Sequence, residues 1–201
     1  MPLADVVETL FLDRGTPVVL SRPDFGILSD KIGKDIGSRL TAGRSLLREQ
    51  IDLVVVHRDA DNAGWDARVA EIHKAVVETA ICNQVVPIVP VRMTEAWLLL
   101  DEAAIRTVAG NPQGTSPLAL PGRHEVERVA DPKQTLREAL SRAANVTGRR
   151  RERLVRRFSE NRRQLLERLD TRGPVAQLAS WRALDSAVGS VVESWNELDQ
   201  V

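Results

Sequence analysis

The chain has 201 residues, 43% of them hydrophobic, with 28 basic and 28 acidic side chains and zero formal net charge. That is enough for one medium domain, or a domain with a helical appendage, around a real core. The charge balance argues against a globally basic nucleic-acid coat, and 3% aromatics without tyrosine argue against a stacking platform for single strands.

The lone Cys82 has no disulfide partner and no zinc-site partner, and it reads as a small core residue. No basic-then-apolar leader opens the chain, and no apolar run approaches the ~18 residues of a membrane span. These features predict a soluble, cytoplasmic protein without a membrane. Arginine outnumbers lysine, and alanine and valine are frequent, a composition that fits a GC-rich bacterial genome.

In chain order, Pro2 to Leu12 has apolar residues at helical spacing and a proline suited to a first turn. Pro17 to Leu20 is predicted as a short strand, Pro23 to Gly26 as a turn, and Lys31 to Gln50 as a helix weakened by three glycines. Ile51 to Arg58 gives the strongest strand signal. Asp61 to Gly64 reads as a turn, Trp65 to Asn83 as a helix and Val85 to Val91 as a second buried strand. Short helices follow over Glu95 to Leu100 and Asp101 to Ala109. Gly110 to Gly122 is a loop, and Asp131 to Ala144, Gly148 to Asp170 and Pro174 to Leu198 all read as helices. The alternation predicts an α/β fold, with a small, mostly parallel sheet flanked by helices over 1–110 and a helical C-terminal region over 111–201 packed on it.

The run Val54 to Asn62 carries the clearest chemistry. Three valines lead through His57 and Arg58 to Asp59 and Asp61. If the strand continues, residues i and i+2 point the same way, and both carboxylates stand at the sheet's rim, where they could hold Mg²⁺ or Mn²⁺. The alternative is that one aspartate caps the next helix and the other sits in a turn. Glu95 follows the second strand. It is a third acid for the same rim if the strands are neighbours, or simply a carboxylate at a helix N-terminus beside Thr94. Arg58 and Arg92 flank these acids and could grip a phosphate, or could each pair with a nearby carboxylate. His57 reads as a rim or core histidine, and His73 and His124 lack ligand spacing.

The arginine-dense stretch is the other candidate. Arg149, Arg150, Arg151, Arg153, Arg156 and Arg157, followed by Arg162, Arg163 and Arg168, face only Glu152, Glu160 and Glu167. Such a helix can follow a phosphate backbone, or it can be a solvated face paired at i,i+4. Phosphate loops of the Walker type, Gly-x-Ser-x-Gly elbows and GxGxxG turns are absent.

A buried strand ending in Asp-x-Asp, a helix, a second buried strand and then Glu-Ala-Trp-Leu-Leu resembles the Toprim-like bacterial proteins. The similarity is greatest to the domain-of-unknown-function family four-two-seven-six, which is related to the Toprim domains of OLD-type nucleases. Asp131-Pro132-Lys133 with Leu136, and Gly173-Pro174-Val175-Ala176 leading to Trp195 and Leu198, extend the resemblance over most of the chain. It implies a Toprim core with Mg²⁺ on Asp59 and Asp61, Glu95 as a further acid, phosphodiester chemistry on nucleic acid, an ATPase partner and a role in phage defence. Toprim proteins also open on a strand ending in a glutamate that acts as general acid or base. This chain opens in a helix, and Glu8 lies inside it. The resemblance therefore implies either an upstream start that restores the strand, or its loss. The first expectation is a metal-dependent nuclease. The alternative is a catalytically degenerate subunit that binds nucleic acid or a partner.

Overall fold

The computed structural model describes residues 2–29 and 31–198. It is α/β, with helices α1 (Pro2–Leu12), α2 (Ile36–Leu47), α3 (Trp65–Thr79), α4 (Glu95–Leu98), α5 (Glu102–Val108), α6 (Pro132–Ala144), α7 (Gly148–Arg156), α8 (Phe158–Glu167) and α9 (Ala179–Leu198). The strands are β1 (Leu53–His57) and β2 (Gln84–Ile88), paired in parallel with Leu53 opposite Gln84 and His57 opposite Ile88. No helix among the described residues is long and apolar enough to cross a membrane.

The chain divides into two compact units, Leu10–Val89 with Ala183–Val201, and Met1–Thr9 with Pro90–Arg182. This division falls at Pro90, and most of α9 belongs with the sheet.

In the sheet unit, α3 is the crossover that parallel strands require, and α2 packs on it. Ile36, Ala60, Ile72, Ala75 and Val89 form a buried cluster, joined by Leu40, Val56, Val69 and Val85. Asp35 starts α2 by accepting from Ser38 N at 2.8 Å and Ser38 Oγ at 2.7 Å. These bonds hold its carboxyl below the usual aspartate range. Gly33 is needed beside this cap, because a Cβ there would lie 2.5 Å from Asp35 Oδ2. The later part of α9 closes the unit. Phe11 stacks on Trp195 at 5.7 Å, Arg14 pairs with Asp185 at 2.8 Å, and Gln84 Nε2 donates to Ser194 at 2.8 Å.

The helical unit is built from α4, α5, α6, α7 and α8. Trp97 meets Trp181 edge-on at 5.2 Å, and its Nε1 donates to Ser180 Oγ at 3.0 Å. Glu127 accepts from that hydroxyl at 2.6 Å, so the buried indole and hydroxyl are both satisfied. Arg137 lies 4.6 Å over the Phe158 ring.

Several predicted elements change. Pro17 to Leu20 is not a strand, and Val19 in it is 91% exposed. A β-branched run is only a strand when a neighbour completes its ladder, so propensity alone misled. The predicted helix Lys31 to Gln50 starts late, at the Asp35 cap, and ends at Arg48 with φ 53°. The helix from Trp65 stops at Thr79 because Ala80 takes φ 46°. The helix predicted over Gly148 to Asp170 is two, interrupted at Arg157. Pro174–Gln177 is a 3₁₀ turn ahead of α9.

Candidate functional site

The two predicted centres, the acidic rim and the arginine helix, differ sharply once side chains are placed. β1 ends at His57, although Arg58 N still donates to Ile88 O at 3.0 Å. Beyond it Ala60 is drawn into the core at 1% exposure, and its carbonyl accepts from Ala63 N and Gly64 N to start a turn. Asp61 then adopts φ 44°, a left-handed conformation that aspartate tolerates better than most residues. The extended i,i+2 geometry expected for the two acids therefore stops between them: β2 ends at Ile88, leaving the ladder without a partner. Nor does Asp59 cap α3, whose N-cap is Gly64.

Asp59 is partly exposed, but its Oδ1 is buried and receives no hydrogen bond among the described residues. His57 Nε2 lies 3.4 Å from it, an ion-pair contact when the imidazole is protonated. Arg58 points elsewhere. Its Nη2 donates to Glu71 at 3.3 Å, and Arg68 donates to the same carboxylate at 2.7 Å. Of the two readings for Arg58, the paired one holds. Glu71 is a residue that sequence reasoning passed over. Its position three after Arg68 was a usable signal, while its contact with Arg58 needed the fold.

Glu95 and Arg92 belong to the helical unit, while Asp59 and Asp61 belong to the sheet unit. Glu95 is buried, and Arg162 Nε lies 2.9 Å from its Oε1. Arg162 Nη2 also donates to Thr94 Oγ1 at 2.7 Å. Glu95 thus holds α8 through a charge pair, a structural use that occupies its carboxylate. Arg92 is half-buried and has no ion pair among the described residues. No group of three or more His, Cys, Asp or Glu side chains among the described residues could hold a metal ion. The buried Asp59 Oδ1, with no hydrogen bond among the described residues, suits a cation; Mg²⁺ keeps several waters and would need only one or two such carboxylates from the protein. Burial pushes the Cys82 thiol above its usual pKa, which disfavours the nucleophilic thiolate.

The arginine run separates into two parts. In α8, Arg162 is turned to Glu95, and Arg163 is held between Glu160 at 2.9 Å and Glu167 at 2.7 Å. In α7, Arg149, Arg150, Arg151 and Arg153 are exposed and make no ion pair among the described residues. Arg156 reaches Glu152 only at 3.9 Å, with both side chains in solvent. Arg157, the residue after the helix, is exposed as well. Arg149, Glu152, Arg153 and Arg156 line a shallow depression of about 330 Å³. The geometry can present several unneutralised guanidinium groups to an external anion. Comparison with known proteins adds nothing to this: no family model, curated protein or solved structure matches the chain.

Proposed function

We propose that this chain binds double-stranded nucleic acid through the phosphate backbone, using α7, and does not cut it. The observation that carries the reading is the exposure of five arginines on a nine-residue helix with one acid among them. Guanidinium groups without internal partners gain most from phosphate, which they bind in bidentate fashion. Duplex is favoured over single strands because only Trp65 among the aromatic side chains is notably exposed, so no stacking surface accompanies the arginines. A membrane surface is disfavoured because α7 has no buried apolar face and offers lipid only Val155 and the half-buried Leu154.

The test is fluorescence anisotropy with a duplex of arbitrary sequence across a salt series. Three to five engaged arginines predict a log K against log salt slope of roughly −3 to −4.5. Arg149→Glu with Arg153→Glu should abolish binding. A flat salt dependence, or unchanged binding by that double variant, removes the proposal.

The second reading is metal-assisted phosphodiester chemistry of the Toprim-like kind, with Asp59 and Asp61 at its centre and Mg²⁺ or Mn²⁺ as cofactor. One observation favours it, the buried Asp59 oxygen that lacks a hydrogen bond among the described residues. The Toprim-like fold, an ATPase partner and a place in phage defence rest on the sequence resemblance. Titration calorimetry with Mn²⁺ and Mg²⁺, on the natural chain and on Asp59→Asn, decides between the readings. Heat that Asp59→Asn abolishes, together with duplex cleavage, would establish the nuclease.

A further inference from the structure

We infer that α7 is a conditional helix, ordered by the phosphates it binds; this rests on the nucleic-acid reading above and names how that site is regulated. Four observations converge on it. None of the residues from Gly148 to Arg156 is buried, so no core holds the helix. Its N-terminus is poorly made: Thr147 gives no side-chain cap, and Gly148 takes φ +55°. Arg149, Arg150 and Arg151 fill the first turn, where the helix dipole disfavours positive charge. Like charges also face each other at i,i+3 and i,i+4, in Arg150 with Arg153, Arg149 with Arg153, and Arg153 with Arg156. A helix this short is marginal without tertiary support.

α7 touches both α6 and α8, and the bonds that tie it down lie at its C-terminal end. Leu154 is half-buried, Asn161 Nδ2 donates to Leu154 O at 3.5 Å, and Arg157 N donates to Arg153 O at 3.1 Å. The helix can therefore fray from its N-terminus while remaining tethered to α8.

Phosphates would reverse each cost. Arg149, Arg153 and Arg156 recur at i, i+4 and i+7 and form one stripe, with Arg150 and Arg157 beside it. They span about 10 Å of helix axis at ~1.5 Å per residue. A nucleic-acid strand presents a phosphate every ~3.4 Å of duplex axis, so the stripe meets a short run of them. Neutralised in this way, the arginines no longer repel one another, and the free N–H groups of the first turn face an anion. Arg151 is about 200° round from Arg149 at ~3.6 residues per turn, and it lies outside the stripe.

Amide hydrogen exchange on the full chain, with and without saturating duplex DNA at low salt, tests the inference; anisotropy on the same samples reports binding. The amides of residues 152–154, which bond to the first turn, should exchange within about tenfold of the unstructured rate when free, and at least tenfold more slowly when bound, while those of α6 stay constant. A second variant separates order from affinity. Arg149→Glu with Arg150→Glu places acids in the first turn, so protection should rise without DNA while binding falls. Protection equal to that of α6 in the free chain overturns the inference, as does DNA binding with no slowing. Absence of binding overturns the nucleic-acid reading along with it.

Discussion

α6 and α7 are separated by three residues and are built on opposite principles. α6 has a capping aspartate, with Asp131 accepting from Gln134 N at 2.8 Å, and Pro132 in its first turn. It buries Leu136, Ala139, Leu140 and Ala143, which recur at i, i+3, i+4 and i+7. α7 has no side-chain cap, no buried residue and five arginines. A helix held by a core can carry nearly any surface. One with no interior has a sequence that internal packing does not explain, and here the unexplained part is a row of guanidinium groups.

The sharpest test of this contrast removes core from each helix. Leu140→Ala should cost about 2–5 kcal/mol, because the side chain is 2% exposed and the cavity left behind relaxes only partly. Leu154→Ala on α7 should cost less, about 1–2 kcal/mol, since part of that side chain stays in solvent and little cavity is left. Urea unfolding measures both. Equal losses would mean that α7 has an interior after all, and the comparison would fail.

The next test divides the arginine run itself. Arg162→Ala should destabilise by about 1–3 kcal/mol by leaving the buried Glu95 without its cation, a loss scaled down because Arg162 is a third exposed. Arg153→Ala should stay within about 0.5 kcal/mol, as expected of a surface change with no internal partner. In a binding assay the order should invert, with Arg153→Ala weakening the complex more. If Arg162→Ala instead abolishes binding while leaving stability intact, Glu95 is not its partner in solution.

The sequence made α6 nearly readable in full, because cap, proline and apolar period agreed on one answer. β1 and β2 were readable for a similar reason, as buried valine runs bounded by turns. The acid rim was not. Its prediction required the strand to continue through Asp59 and Asp61, and the strand's length is set by its partner, which ends at Ile88. The fate of Glu95 was equally hidden. A glutamate after Thr94 looks like a helix-terminal acid or a rim ligand from either side, and only the fold brings Arg162, 67 positions later by the numbering, to within 2.9 Å of it. Pairing decided which charges were available for chemistry, and pairing between distant residues leaves no local mark.

The caps offer a smaller effect. Asp131→Ala should cost α6 about 1 kcal/mol by orphaning the Gln134 N–H. Thr147→Ala should cost α7 close to nothing, since its hydroxyl makes no cap bond. Thermal unfolding of the two variants side by side reads the difference, and a clear loss for Thr147→Ala would show a cap that the contrast between the helices denies.

The smallest effect concerns α8, whose charges are paired where those of α7 are not. Glu160 accepts from Arg163 Nη2 at 2.9 Å and Nε at 3.2 Å, and from Gln164 Nε2 at 3.2 Å. These bonds, that with Arg163 foremost, pull its carboxyl from 4.5 down to about 2. A depressed carboxylate adds stability above its unfolded pKa and loses it as protons bind. The contribution of Glu160 should therefore be complete above about pH 4.5 and decline as the pH falls toward 2. The group is at the surface and screened by solvent, so the readout is the titration itself, followed by NMR at the Glu160 carboxyl carbon. Arg163→Gln should return the midpoint toward the ordinary glutamate range, and added salt should move the natural chain's midpoint the same way. A midpoint unmoved by Arg163→Gln would mean that Arg163 is as free as the arginines of α7, and its place in the structural half of the run would lose its basis.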